Sequence, residues 1–150
     1  MTNREKIQWL GRYRQEQSRL RLLCAELEAL RAQGRELCRA RDGSEDAPPP
    51  DWLARDLAQA RQEMEAQGAR CVLLRRRMVR AISRLGDERQ REVLCRRFLQ
   101  GQTIAEAADE MGVVPRRVEQ LQTEGMRLLV VDGPEPGTPA EKKGRLRGTR

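Results

Sequence analysis

The sequence has no histidine, and only four of its 150 residues are aromatic: two Trp, one Tyr and one Phe. Without histidine the commonest general base is missing, and with it the Ser/His and Cys/His nucleophile pairs. Glycines 34, 43, 68, 86 and 101 stand singly between helical patterns, so no phosphate-cradling loop of Walker type is present. Cys24, Cys38, Cys71 and Cys95 are widely scattered with no C-x-x-C spacing, which predicts reduced, partly buried thiols and no metal site. Carboxylate pairs such as Glu26 with Glu28, or Asp109 with Glu110, fall on patterned helices and read as solvated faces. No apolar run approaches the roughly 18 residues of a membrane span, and the first residues hold no signal-peptide core. The expectation is a cytoplasmic protein that is not an enzyme, needs no cofactor and has no contact with a membrane.

Charge, by contrast, is abundant. Charged residues make up 35% of the chain, mean hydropathy is -0.80, net charge is +7 and the pI is near 10.0. So polar a chain with so few aromatics cannot fill a large core, which predicts thin helical packing. The basic excess is mostly arginine, whose planar fork suits phosphates and guanine edges, so a polyanionic partner is favoured.

Periodicity divides the chain. Over residues 5 to 40 apolar side chains recur at heptad-like spacing, with Trp9, Tyr13, Leu20, Leu23, Leu27, Leu30 and Leu37 on one seam that Glu16 and Gly34 interrupt. "RDGSEDAPPP", residues 41–50, cannot continue a helix. Asp51 is a plausible N-cap for a second long helix to about residue 84, striped by Leu53, Leu57, Ala60, Met64, Cys71, Leu74, Met78, Ala81 and Leu85 around the polar Gln67. Neither helix can bury its stripe alone, so Leu20, Leu23, Leu27, Leu30, Leu57, Met64, Leu74 and Met78 are expected to form a seam, within one chain or between two. Residues 41–68 carry three basic and seven acidic side chains, whereas residues 69–84 carry six arginines and no acid.

Residues 85–130 follow another pattern, of shorter helices. Asp87 with Gln90 has capping-box spacing, Val93, Leu94 and Phe98 share a face, and Gly101 ends the helix. Thr103 with Glu106 opens the next helix, to about Met111; Gly112 supplies a permissive turn, and Pro115 suits the first turn of a further helix. Val118 and Leu121 then point back onto Ala107, Ala108 and Met111. These offsets describe a helix-turn-helix. Its second helix would present Arg116, Arg117 and Gln120, with Glu119 and Thr123 beside them, to base edges in a major groove. Each of these five is also an ordinary solvent-facing helix residue. The remaining residues, 131–150, are rich in Gly and Pro without apolar period and read as a disordered basic tail.

"LGDERQREVLCRRFLQGQTIAEAADEMGVVPRRVEQLQTEGMRLL", residues 85–129, resembles region 4 of the bacterial sigma-70 family. The order of a long helix, a proline-containing break, a second long helix and this module is similar to small phage and prophage regulators described as sigma-70 region 4-like or ArpU-like. The resemblance implies double-stranded DNA as a partner, RNA polymerase as a second, base contacts from Arg116, Arg117 and Gln120, and phosphate contacts from Thr103 and Gln102. Pro115 and Glu119 depart from the family's usual polar and basic residues, so promoter preference does not carry over. Seven arginines face eight acids in residues 85–130. Affinity must therefore come from local placement of Arg96, Arg97, Arg116, Arg117 and Arg127, with Arg96, Arg97 and Arg127 on phosphates, from the arginines of residues 70–84, or from a homodimer, and the last two are expected.

The expected fold is thus all-α, with a coiled-coil-like long helical hairpin followed by a C-terminal helix-turn-helix domain of sigma-70 region 4 type. The expected function is a sequence-specific phage-type transcriptional regulator, nucleoid-associated in a bacterial host. A small terminase subunit and a helical adaptor that binds no DNA are the alternatives.

Overall fold

The computed structural model describes residues 1–44 and 46–131, and among them every regular element is helical. Thr2 caps the first helix: its hydroxyl accepts from the Glu5 N–H at 3.2 Å while its own N–H donates to the Glu5 carboxylate at 2.6 Å. From there α1 runs over Asn3–Asp42. Gly43 takes φ 72° and ends it, and the prolines at 48–50 lead into α2, Asp51–Ser83. Three shorter helices follow: α3 (Glu88–Leu94), which widens into a π-helical turn over Cys95–Leu99, α4 (Ile104–Met111) and α5 (Pro115–Leu128). Apart from Val131, the basic tail expected over 131–150 lies outside the described residues.

The chain forms two compact units, and their boundaries fall inside both long helices. One comprises Gln15–Cys71. Here α1 and α2 run antiparallel within one chain, since Leu20 lies beside Gly68 and Leu53 beside Gly34. The residues that interrupt the apolar stripes turn out to be matched. A Cβ at Gly34 would stand 3.1 Å from Leu53 Cδ2, so glycine there admits the leucine. Gln67, 5% exposed, donates its amide to the Glu16 carboxylate at 2.5 Å and to the Glu16 carbonyl at 3.0 Å. Paired polar groups of this kind fix register, because any slip leaves a buried amide unsatisfied. Of the seam residues in this unit, Leu27 is buried and Leu20, Leu23, Leu30, Leu57 and Met64 are half-buried. Two helices cover only part of each other, and Leu22 remains 70% exposed.

The other unit joins Met1–Arg14 to the described residues from Val72 onward. Trp9, Leu10 and Tyr13 from α1 are buried, as are Leu74, Met78, Ala81 and Ile82 from α2 and Leu94, Phe98, Met126 and Leu129 from the later helices. The unit that holds the short helices thus draws its core from both ends of the sequence. All four cysteines are free thiols: Cys38 and Cys71 are buried, Cys24 and Cys95 half-buried. Burial raises the Cys71 and Cys95 thiols above their ordinary range. No described helix is long and apolar enough to cross a membrane.

Candidate nucleic-acid interface

The short helices are built by local rules. Asp87 accepts from the N–H groups of Arg89 at 2.8 Å and Gln90 at 3.2 Å and so starts α3. Thr103 starts α4, its hydroxyl accepting from Glu106 N at 3.1 Å and lying 3.2 Å from the Glu106 carboxylate. Gly112 ends α4 in the left-handed conformation, at φ 67° and ψ 35°. The N–H of Gly112 then reaches Asp109 O at 3.3 Å and that of Val113 reaches Ala108 O at 3.0 Å, a Schellman closure. Pro115 occupies the first position of α5, where its missing N–H costs nothing.

Ala107, Ala108, Val118 and Leu121 form one buried cluster with Val93, flanked by Ile104, Met111 and Val113. Two small residues on α4 allow the facing helices to approach. A second close approach occurs at Gly125, where a Cβ would lie 3.3 Å from Gln90 Cβ and 3.4 Å from Leu94 Cδ1. With α5 held along Val118, Leu121, Gly125 and Met126, its opposite face is left to solvent. That face carries Arg116, Glu119, Gln120, Thr123 and Arg127, with Arg117 at its margin, all exposed. At about 1.5 Å rise per residue the 14-residue helix is roughly 21 Å long, enough to lie in a major groove.

The two groups of expected contact residues differ in what they do within the chain. Among the described residues no hydrogen bond or ion pair engages the side chains of Arg116, Arg117, Glu119 or Gln120, and Thr123 only returns its hydroxyl to Glu119 O at 2.9 Å. The phosphate group, by contrast, is occupied throughout. Arg96 pairs with Glu92 at 3.1 Å and with Glu110, joining α3 to α4. Arg97 donates to the Gln122 amide oxygen at 2.9 Å and to Gln102 O at 2.6 Å, tying the loop before α4 to α5. Gln102 donates to Glu110 at 2.9 Å, and Thr103 is committed to its cap. The Gln102 hydrogen bond first, then the charge and hydrogen bond of Arg96, hold the Glu110 carboxyl below the usual carboxylate range. Arg127 pairs with Glu124 at 2.5 Å, but both side chains are about half exposed or more, so solvent screens the pair. Of these five, Arg127 is the one most easily diverted to a phosphate.

Two residues that brace this module from the N-terminal helix have no sequence signal. Lys6, 8% exposed, donates its ammonium to Met126 O at 3.0 Å and Arg127 O at 3.1 Å, satisfying carbonyls that the end of α5 leaves open. Arg14 packs its guanidinium against Gly101, where any Cβ would collide with it and where φ is 73°. Charge also changes with the unit's composition. Over residues 1–14 and 72–131 there are 16 basic and nine acidic side chains, against nine basic and 11 acidic over residues 15–71. The slightly acidic helix-turn-helix therefore belongs to a strongly basic unit. No group of His, Cys, Asp or Glu among the described residues could hold a metal ion.

Compared with protein families, residues 87–129 match Sigma-70, region 4. Over those residues the chain is similar to a DNA-binding helix-turn-helix family. No curated protein and no solved structure matches the chain.

Proposed function

We propose, starting from a region 4 helix-turn-helix at residues 87–129, that the chain is a sequence-specific transcriptional regulator of phage or prophage type that reads promoter DNA with α5. The observation that carries this reading is the state of the arginines in the module. Arg91 donates to Leu85 O at 2.5 Å, Arg96 and Arg97 fasten helices together, and Arg116 and Arg117 stand open at the start of α5, where a recognition helix meets bases. Free arginines held on a rigid helix can take guanine O6 and N7 as a bidentate pair, Gln120 can take adenine, and Glu119 can accept from cytosine N4.

Half-buried Leu20, Leu23 and Leu30 and the exposed Leu22 leave apolar surface on the long helices, which supports a homodimer. Region 4 also supports RNA polymerase as a second partner, reached by contact or blocked by promoter occupancy. A regulator that acts on DNA would sit in the cytoplasm, at the nucleoid.

Selection of duplexes from a random pool tests the reading, with Arg116→Ala/Arg117→Ala run in parallel. The wild type is expected to enrich one motif, and the variant to lose it, at about 1–3 kcal/mol for each bidentate contact. A palindromic motif with half-sites one helical turn apart is the expected mark of a dimer. Enrichment by neither protein sinks the proposal.

A further inference from the structure

The hairpin of residues 15–71 has two faces of opposite charge. On one, Leu30 and Ala60 floor a groove of about 220 Å3 edged by Glu26, Asp56, Gln59 and Glu63. On the other, a groove floored by Leu27 and Leu57 is edged by Arg31 and Arg61 and has no acidic side chain. Glu26 to Arg31 and Asp56 to Arg61 are each steps of five residues, about 140° around a helix, which sets the two grooves on opposite sides. Heptad steps extend the acidic face. Leu23 and Leu37 stand one heptad to either side of Leu30, and Trp52 one heptad before Gln59. Leu22 lies three residues from Arg19 and four from Glu26, at the rim of the same face. Among the described residues of this unit the exposed large apolar side chains are Leu22, Leu37 and Trp52, so its uncovered apolar surface gathers on the acidic face. Such a patch marks an interaction surface.

Charge along that face identifies what covers it. Arg19 is one heptad before Glu26, and Arg70 one heptad after Glu63. Leu20 lies beside Gly68, so Arg19 and Arg70 share one level of the hairpin, and Glu26 and Glu63 share another, about two turns nearer the loop. All four are exposed. Among the described residues no hydrogen bond or ion pair engages Arg19 or Glu26, and Glu63 accepts from the Gln59 amide at 3.2 Å. Each hairpin thus presents a basic level and an acidic level on either side of Leu22 and Leu23.

We infer that a second copy of this chain covers the acidic face, packed antiparallel so that Arg19 and Arg70 of each copy meet Glu26 and Glu63 of the other about Leu22 and Leu23. Two hairpins related by a twofold axis across them make a four-helix bundle in which α1 lies against α1 and α2 against α2. Arg19 then faces Glu26 and Arg70 faces Glu63, twice over. A parallel pairing would set Arg19 against Arg70 and Glu26 against Glu63, and like charges repel. The basic face offers no exposed large apolar side chain to a partner. This pairing rests on the proposed homodimer, names its surface, and needs no DNA.

Sedimentation equilibrium of the full chain tests it. Wild type is expected at twice the monomer mass. Arg19→Glu/Arg70→Glu and Glu26→Arg/Glu63→Arg each turn the attractive pairs repulsive, and each is expected to weaken dimerisation about a hundredfold. All four substitutions in one chain restore the dimer, and mixing the two double variants yields a dimer of one copy of each. The positions are exposed, so the variants are expected to fold, as circular dichroism checks. Leu22→Glu, outside the charge pairs, is a second route to the monomer. Arg19→Glu alone reports direction: it weakens an antiparallel dimer and would tighten a parallel one, where it pairs with Arg70.

A wild type that stays monomeric overturns the inference, as do double variants that dimerise like wild type, a fourfold variant that stays monomeric, or a tighter dimer from Arg19→Glu. Assemblies larger than two that Arg31→Glu/Arg61→Glu dissolves would set the acidic face on the basic one and overturn it too. Failure of the proposed DNA reading looks different: no duplex motif is enriched, while the masses still decide the pairing.

Discussion

Lys6 shows how much one side chain can decide. α5 ends without a glycine cap, because Leu129 turns extended and enters the core at 1% exposure. The carbonyls of Met126 and Arg127 are then left without helical partners, and the Lys6 ammonium takes both. A charged donor on buried carbonyls at a helix C-terminus combines a strong hydrogen bond with a favourable dipole. Lys6→Met keeps the length of the side chain and removes the donor, so it is expected to destabilise the protein by about 2 kcal/mol. Urea unfolding checks this as a lower midpoint at unchanged slope, and an unchanged midpoint refutes it. The opposite lesson comes from Arg96 and Arg97. Both look like phosphate contacts by charge and position in the chain, yet each holds helices together in the folded protein.

At the scale of an element, α4 is closed at both ends by its own sequence. Thr103 supplies the cap by accepting from the Glu106 N–H, its hydroxyl also meets the Glu106 carboxylate, and Gly112 provides the one left-handed residue the Schellman turn requires. Thr103→Ala removes the cap and is expected to cost about 1 kcal/mol. Thr103→Ser should restore it. The same pair of variants separates capping from phosphate contact: if capping is the whole role, duplex affinity of the folded Thr103→Ala protein matches wild type, whereas a direct contact lowers it and reduces the salt slope. α5 differs, since Val114 gives no side-chain cap and its geometry comes from packing on α3 and α4. The long helices lie between these cases, because their stripes announce helix while their partners had to be found in space.

For the whole molecule the important result is that residues 1–14 complete the unit that holds the helix-turn-helix although they lie outside the region 4 match. Burial of Trp9, Leu10 and Tyr13, at about 1.5–3 kcal/mol per large side chain, amounts to roughly 5 kcal/mol, comparable with the entire stability of a small domain. A chain that begins at residue 15 is therefore expected to lose protection at the Val118 and Leu121 amides in hydrogen exchange. Full protection in that shortened chain would show that the helix-turn-helix folds without the N-terminal segment. The same deletion removes four basic and one acidic side chain from the unit, so its duplex affinity should also depend less on salt.

What the sequence by itself determined is what depends on neighbours a few residues apart: the helical periods, the caps at Asp87 and Thr103, the turn at Gly112, Pro115 at the head of α5, and the exposed face of Arg116 and Gln120. These are consequences of backbone geometry and of spacing along a helix, which a reader of the chain can count. The tertiary structure alone decided which arginines are free, which polar interruptions find each other, and which elements share a core. Lys6 and Met126, or Arg14 and Gly101, meet across most of the length of the chain. No periodicity encodes such meetings, because a long charged side chain takes whichever partner packing brings within reach.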